Sequence, residues 1–120
     1  MLSITGKKAL KILIEKAKEG RTVGYRELAS LIDSKYDVND PHQWLYSVLG
    51  NVSKYTYQEL GIMISILVVN KDGHPGPGFK ELAGVLIADD KDSLSSTFVN
   101  THLKTLLAID HNKLDRLLVI

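Results

Sequence analysis

A mostly helical α+β domain with a small sheet or hairpin is the fold class this sequence predicts. Three observations predict it. Amphipathic helical periodicity fills the first half of the chain. A single block of β-branched and long aliphatic residues, Ile62 to Asn70, interrupts it. A turn-forming stretch, "KDGHPGPGF", follows that block before helical periodicity resumes. At 120 residues the chain suits one domain, residues 1–120, with its own core.

The first helix follows "SIT". Ile4, Ala9, Leu10, Leu13, Ile14 and Ala17 form one apolar stripe with lysines opposite. Gly20 stops it, and Lys16 and Lys18 sit in the last turn, where the helix dipole favours cations. Thr22 to Tyr25 reads as a short extended lead-in. Tyr25 to Ile32 is a second helix with Leu28, Ala29, Leu31 and Ile32 expected inward. "DSKYDVNDP" is a loop by composition. Asp40 and Pro41 signal a helix start, as N-cap and first helical residue. The third helix then carries Trp44, Leu45, Val48 and Leu49, and continues through Gly50 to about Glu59. Three helices in quick succession resemble a helix-turn-helix unit.

Ile62 to Asn70 is a strand by composition, covered on both faces because it is almost wholly apolar. Lys71-Asp72-Gly73 predicts a hairpin turn. Pro75 and Pro77 cannot donate to a ladder, so no long returning strand is expected. A fourth helix is expected from Phe79 to Ile87 and a fifth from Asp92 to about Ala108. The tail "DRLLVI" fits either a closing strand or a helical turn.

Composition narrows function mainly by exclusion. The chain has no cysteine, so disulfides, thiolate zinc sites and cysteine nucleophiles are ruled out. No apolar run is long enough to span a bilayer, and Lys11 and Glu15 break any signal-type block. A cytoplasmic setting, with no membrane partner, is the expectation. A net charge of +1 argues against generic electrostatic DNA binding, yet Lys7, Lys8, Lys11, Lys16, Lys18, Arg21 and Arg26 crowd the first quarter. Asp89, Asp90 and Asp92 cluster later, and such charges serve first as solvated faces and caps.

Catalytic signals are weak. His42, His74, His102 and His111 lack metal-ligand spacing, so surface or capping roles are expected and no metal or other cofactor. "GHPGPGF" is glycine-rich, but its two prolines remove two of the N–H donors a phosphate cradle needs. No nucleophile elbow or paired carboxylate motif occurs. By contrast, Tyr25, Tyr36, Trp44, Tyr46, Tyr55 and Tyr57 lie between residues 25 and 57, interleaved with Arg26, Lys35 and Lys54. Trp44 is expected in the core, but Tyr46, Tyr55 and Tyr57 cannot all face one core stripe, so some are expected at a binding surface.

"GRTVGYRELASLID", "HQWLYSVLG" and "ILVVNKDGHPGPGF" together resemble the winged-helix DNA-binding domain of the alkylguanine DNA alkyltransferases and alkyltransferase-like proteins, over residues 8–80. The resemblance implies Tyr25 near a phosphate, the third helix toward a DNA groove and the Asp72-Gly73 turn as a wing. The departures fall on the chemistry. "ISIL" stands where the family has Pro-Cys-His-Arg, so Ser65 occupies the nucleophile's place and Ile66 that of the activating histidine. A serine without an adjacent base is a poor nucleophile, so alkyl transfer is not expected. The family's base-replacing arginine would fall near Gln43, which puts base flipping in doubt as well.

The leading expectation is therefore a non-catalytic winged-helix-like module that binds DNA. Gln43, Tyr46, Ser47 and Asn51 are the candidate base-edge contacts. Arg26, Lys54 and Lys71 are the candidate phosphate contacts, with Tyr25 and His74 beside them. The alternative is a protein-interaction module, as subunit, inhibitor or homodimer, resting on near-neutral charge, exposed tyrosines and the apolar "DRLLVI" end.

Overall fold

The computed structural model of the chain describes residues 2–32, 42–70, 73 and 96–119. Ser3 starts the first helix, α1 (Ile4–Glu19), by accepting the Gly6 N–H on its hydroxyl at 3.0 Å. Gly20 ends it at φ 70°, a left-handed conformation that costs glycine nothing. There the Gly20 and Arg21 N–H groups close back onto Ala17 and Lys16 carbonyls, at 3.1 and 2.9 Å. Ala9, Leu10, Leu13, Ile14 and Ala17 are buried, as the stripe predicts. Ile4 is not: it is 77% exposed, and Leu2, just upstream of the cap, packs into the core.

The chain then runs extended through β1 (Val23–Gly24) into α2 (Tyr25–Ile32). Leu28, Ala29 and Ile32 are buried, but Leu31 is 52% exposed. Tyr25, Leu28, Ala29 and Ile32 make the i, i+3, i+4, i+7 stripe that faces inward, and Leu31 falls off it. The long helix α3 (His42–Leu60) runs through Gly50 without a break. Leu45, Leu49, Val52, Ser53 and Thr56 form its buried side. Gly61, at φ 70°, ends it, with its N–H bonded to the Tyr57 carbonyl at 2.7 Å.

The apolar block is where sequence and structure part. Only Val68–Val69 is a strand, β2, and Ile64–Leu67 is a 3₁₀ turn. Every residue from Ile62 to Val68 is buried, so the expected double-sided cover holds while the expected extended backbone does not. The reason lies in the donors. Three successive N–H groups are satisfied by side chains instead of a neighbouring strand: Met63 by His102 Nε2 at 2.9 Å, Ile64 by Thr56 Oγ1 at 3.1 Å, and Ser65 by Ser53 Oγ at 2.9 Å. A backbone anchored that way is free to coil.

β2 pairs with β1 in parallel, Val23 opposite Val68 and Gly24 opposite Val69. This two-stranded parallel sheet is the only sheet among the described residues. The partner of β2 among those residues is thus a strand from far upstream. Gly73 N–H bonds the Asn70 carbonyl at 3.0 Å, closing a turn just after β2. The loop predicted at "DSKYDVNDP", the Asp40-Pro41 start and the helix predicted from Phe79 to Ile87 lie outside the described residues.

Two further helices lie among the described residues, α4 (Ser96–Leu107) and α5 (His111–Arg116). The Asp110 carboxylate caps α5 by accepting the Asn112 N–H at 2.8 Å. The described part of the tail is no strand: Asp115 and Arg116 end α5 and Leu117 and Leu118 form a turn, with Leu114 and Leu117 buried while Leu118 and Val119 face solvent. α1 is the hub, packing against α2, α3, the 3₁₀ turn, α4 and α5. No helix among the described residues is long and apolar enough to cross a membrane.

Candidate functional site

The solvent side of α3 follows directly from its buried side. With Leu45, Leu49, Val52 and Thr56 inward, the opposite ridge of a 3.6-residue helix takes Ser47, Asn51, Lys54 and Gln58. All four are exposed. Tyr46 and Tyr57 flank the ridge on one side and Tyr55 on the other, and all three are at least partly exposed. The ridge carries one cation, Lys54, which makes no ion pair among the described residues. Around it are hydroxyl and carboxamide groups, the side chains that pair with base edges.

Tyr46 is fixed by its neighbour. The Tyr25 and Tyr46 rings meet edge to face, centroids 5.6 Å apart and planes at 78°. That contact joins the first residue of α2 to the first turns of α3. Tyr25 itself is 9% exposed, its ring set against Tyr46. Arg26, next in sequence, is exposed. Of the nine predicted contact residues, Arg26, Tyr46, Ser47, Asn51 and Lys54 reach solvent on α2 and α3. Gln43 lies in the first turn of α3 with its side chain outside the described residues, and Lys71 and His74 lie outside them altogether.

The nucleophile-equivalent position has a different fate. Ser65 is 5% exposed and its hydroxyl accepts from Ser53 Oγ at 2.6 Å. Thr56 beside it donates to the Ser53 carbonyl at 3.2 Å. These hydroxyls form a buried knot between α3 and the 3₁₀ turn, a packing role for Ser65. His102, expected at the surface, is buried too, and burial holds its imidazole below the ordinary histidine pKa. His111 is exposed, in the first turn of α5.

Sequence reasoning missed Gln58, although its spacing from Ser47, Asn51 and Lys54 puts it on the same ridge. It also missed the far end of α3. There a cleft of about 290 Å³ opens between Tyr55, Glu59 and Leu60 on α3 and Lys113, Arg116 and Leu117 on α5 and just beyond it. The Tyr55 hydroxyl donates to the Leu117 carbonyl at 3.0 Å across this junction. Burial first, and Glu59 second, push the Tyr55 pKa up, so the phenol stays protonated as a donor. Among the described residues no group of three His, Asp or Glu side chains could hold a metal ion.

Charge is unevenly divided. The described residues contain eleven Lys and Arg against six Asp and Glu, while the whole chain has a net charge of +1. Three of those cations are in ion pairs: Lys16 with Glu27, Lys18 with Asp115 and Arg21 with Glu19. No family profile matches the sequence, and no curated protein or solved structure matches the chain.

Proposed function

We propose that this chain is a non-catalytic DNA-binding module of winged-helix type that presents the exposed ridge of α3 to a duplex groove. The observation that carries the reading is the alignment of Ser47, Asn51 and Lys54 on one solvent face, beside Tyr46, with Arg26 exposed on α2. Amide and hydroxyl groups there suit base edges, and the two cations suit the flanking phosphates. The resemblance to alkyltransferase and alkyltransferase-like domains belongs to this reading. Two pieces that carry it, Val23-Gly24 and Val68-Val69, lie side by side in the fold, which supports a shared layout. The burial of Ser65 in a hydroxyl knot supports leaving alkyl transfer out.

Fluorescence anisotropy with labelled duplex and single-stranded DNA, at low and rising salt, tests the reading. Binding should weaken steeply with salt. Lys54→Gln should weaken it for every sequence and reduce the salt slope by about one. Asn51→Ala should change the preference among sequences. A flat response to all DNA at protein concentrations on the order of tens of micromolar, the weak end of non-specific binding, defeats the reading.

A protein-interaction module is the second reading, favoured by the apolar side chains of Ile4, Leu31, Leu118 and Val119 in solvent. It predicts a dimer or a captured protein whose association resists salt.

A further inference from the structure

We propose that Lys113 and Arg116 form a second phosphate-contacting point, which extends the DNA footprint from the ridge of α3 to α5. This rests on the DNA-binding reading of α3 and adds a part of the surface that the sequence did not indicate.

The two cations are three residues apart on α5 and so share one side of that helix. Both line the cleft against the last turns of α3. Their platform is anchored from two directions. Leu114 and Leu117 are buried, the Tyr55 hydroxyl holds the Leu117 carbonyl, and Lys18 of α1 pairs with Asp115. The Asp115 pairing matters for charge as well. It engages the acid between Lys113 and Arg116 in sequence with a different cation. Neither Lys113 nor Arg116 makes an ion pair among the described residues, not even with Glu59 across the cleft.

Length supports the placement. From Asn51 to Glu59 is roughly 12 Å along a helix at 1.5 Å per residue. A B-DNA major groove is about 12 Å wide. A helix that places Asn51 at base edges therefore has Glu59 up to a full groove width away, beyond the bases and in reach of the flanking phosphates. Lys113 and Arg116 lie beside that turn. Arg116 offers a planar fork for phosphate oxygens and Lys113 a compact charge. Glu59, facing the same cleft, opposes the anion, so its removal has an effect of the opposite sign.

The test is the salt dependence of binding to a short mixed-sequence duplex. Lys113→Gln with Arg116→Gln should make the slope of log affinity against log salt shallower by about two, one unit per lost phosphate contact. Each single variant should lose about one unit, which keeps the test sound if the double variant folds poorly by circular dichroism. Glu59→Gln should tighten binding severalfold. Lys104→Gln, on α4 and outside the cleft, should leave the slope within half a unit of wild type, taken as roughly half of one contact. An unchanged slope in the Lys113 and Arg116 variants, with wild type still binding, overturns the α5 contact and leaves the α3 reading standing. Absence of wild-type binding overturns both.

Discussion

The imidazole of His102 accepts the backbone N–H of Met63 at 2.9 Å, and through that one bond α4 holds the segment leading into β2. A protonated ring has no lone pair at Nε2 to give. His102 must therefore stay neutral for this junction to persist.

Acid should thus loosen the fold. Burial lowers the folded-state pKa of His102 below its ordinary value near 6.5. In that window the unfolded chain binds the proton more readily than the folded one. The His102 contribution is complete above the unfolded pKa and is lost as pH falls from there through the folded pKa. Urea midpoints measured from pH 8 to 5 should fall on acidification. His102→Gln should flatten that part of the profile and cost about 1–3 kcal/mol if the Met63 N–H loses its partner. A profile unchanged by the substitution would count against the junction.

Ser53 and Ser65 should differ in importance despite bonding each other. Ser53 Oγ takes the Ser65 N–H and also donates to Ser65 Oγ. Ser53→Ala strands a buried backbone donor and should cost about 1–3 kcal/mol in urea denaturation. Ser65→Ala keeps the N–H to Ser53 bond and should cost less. The double variant should fall short of the sum of the two losses.

Gly50 offers a gain. It lies within α3 at a φ that is not positive, and a methyl built on it meets nothing within 4 Å. Gly50→Ala should therefore raise stability by about 0.5–1 kcal/mol, seen as a higher urea midpoint. A loss would mean that the solvent side of α3 is more crowded than described.

Tyr55→Phe should act on the C-terminal helix. It removes the donor to the Leu117 carbonyl, at a cost of about 1 kcal/mol. Hydrogen exchange should quicken in α5 while α1 keeps its protection. Uniform quickening throughout would assign Tyr55 to the global core.

How much of this was legible beforehand divides along physical lines. α1, α2 and α3 were readable because each shows helical spacing, and Ser3 and Gly20 carry their cap chemistry locally. Periodicity also placed Ser47, Asn51 and Lys54 outward. Ile62 to Leu67 were misread as strand, although Val68 and Val69 are one, because their conformation depends on N–H groups held by His102, Thr56 and Ser53, all distant in sequence or on another element. The Tyr25 contact with Tyr46 was not legible, because nothing in the neighbourhood of Tyr25 names the ring it meets. Lys113 and Arg116 escaped notice because their helix was hidden in a short ambiguous tail, and only packing against α3 gives them a shared face.

Val23 and Val68 sit opposite each other in the sheet although forty-five positions separate them in the chain. Closing so large a loop has an entropic penalty that two residue pairs per strand cannot offset early. The sheet should consequently form late, after α1, α2 and α3 have collapsed together, and substitutions at Val68 should speed unfolding more than they slow folding. It follows that a fragment ending before Ile62 would lack its closing clasp and remain a fluctuating helical assembly.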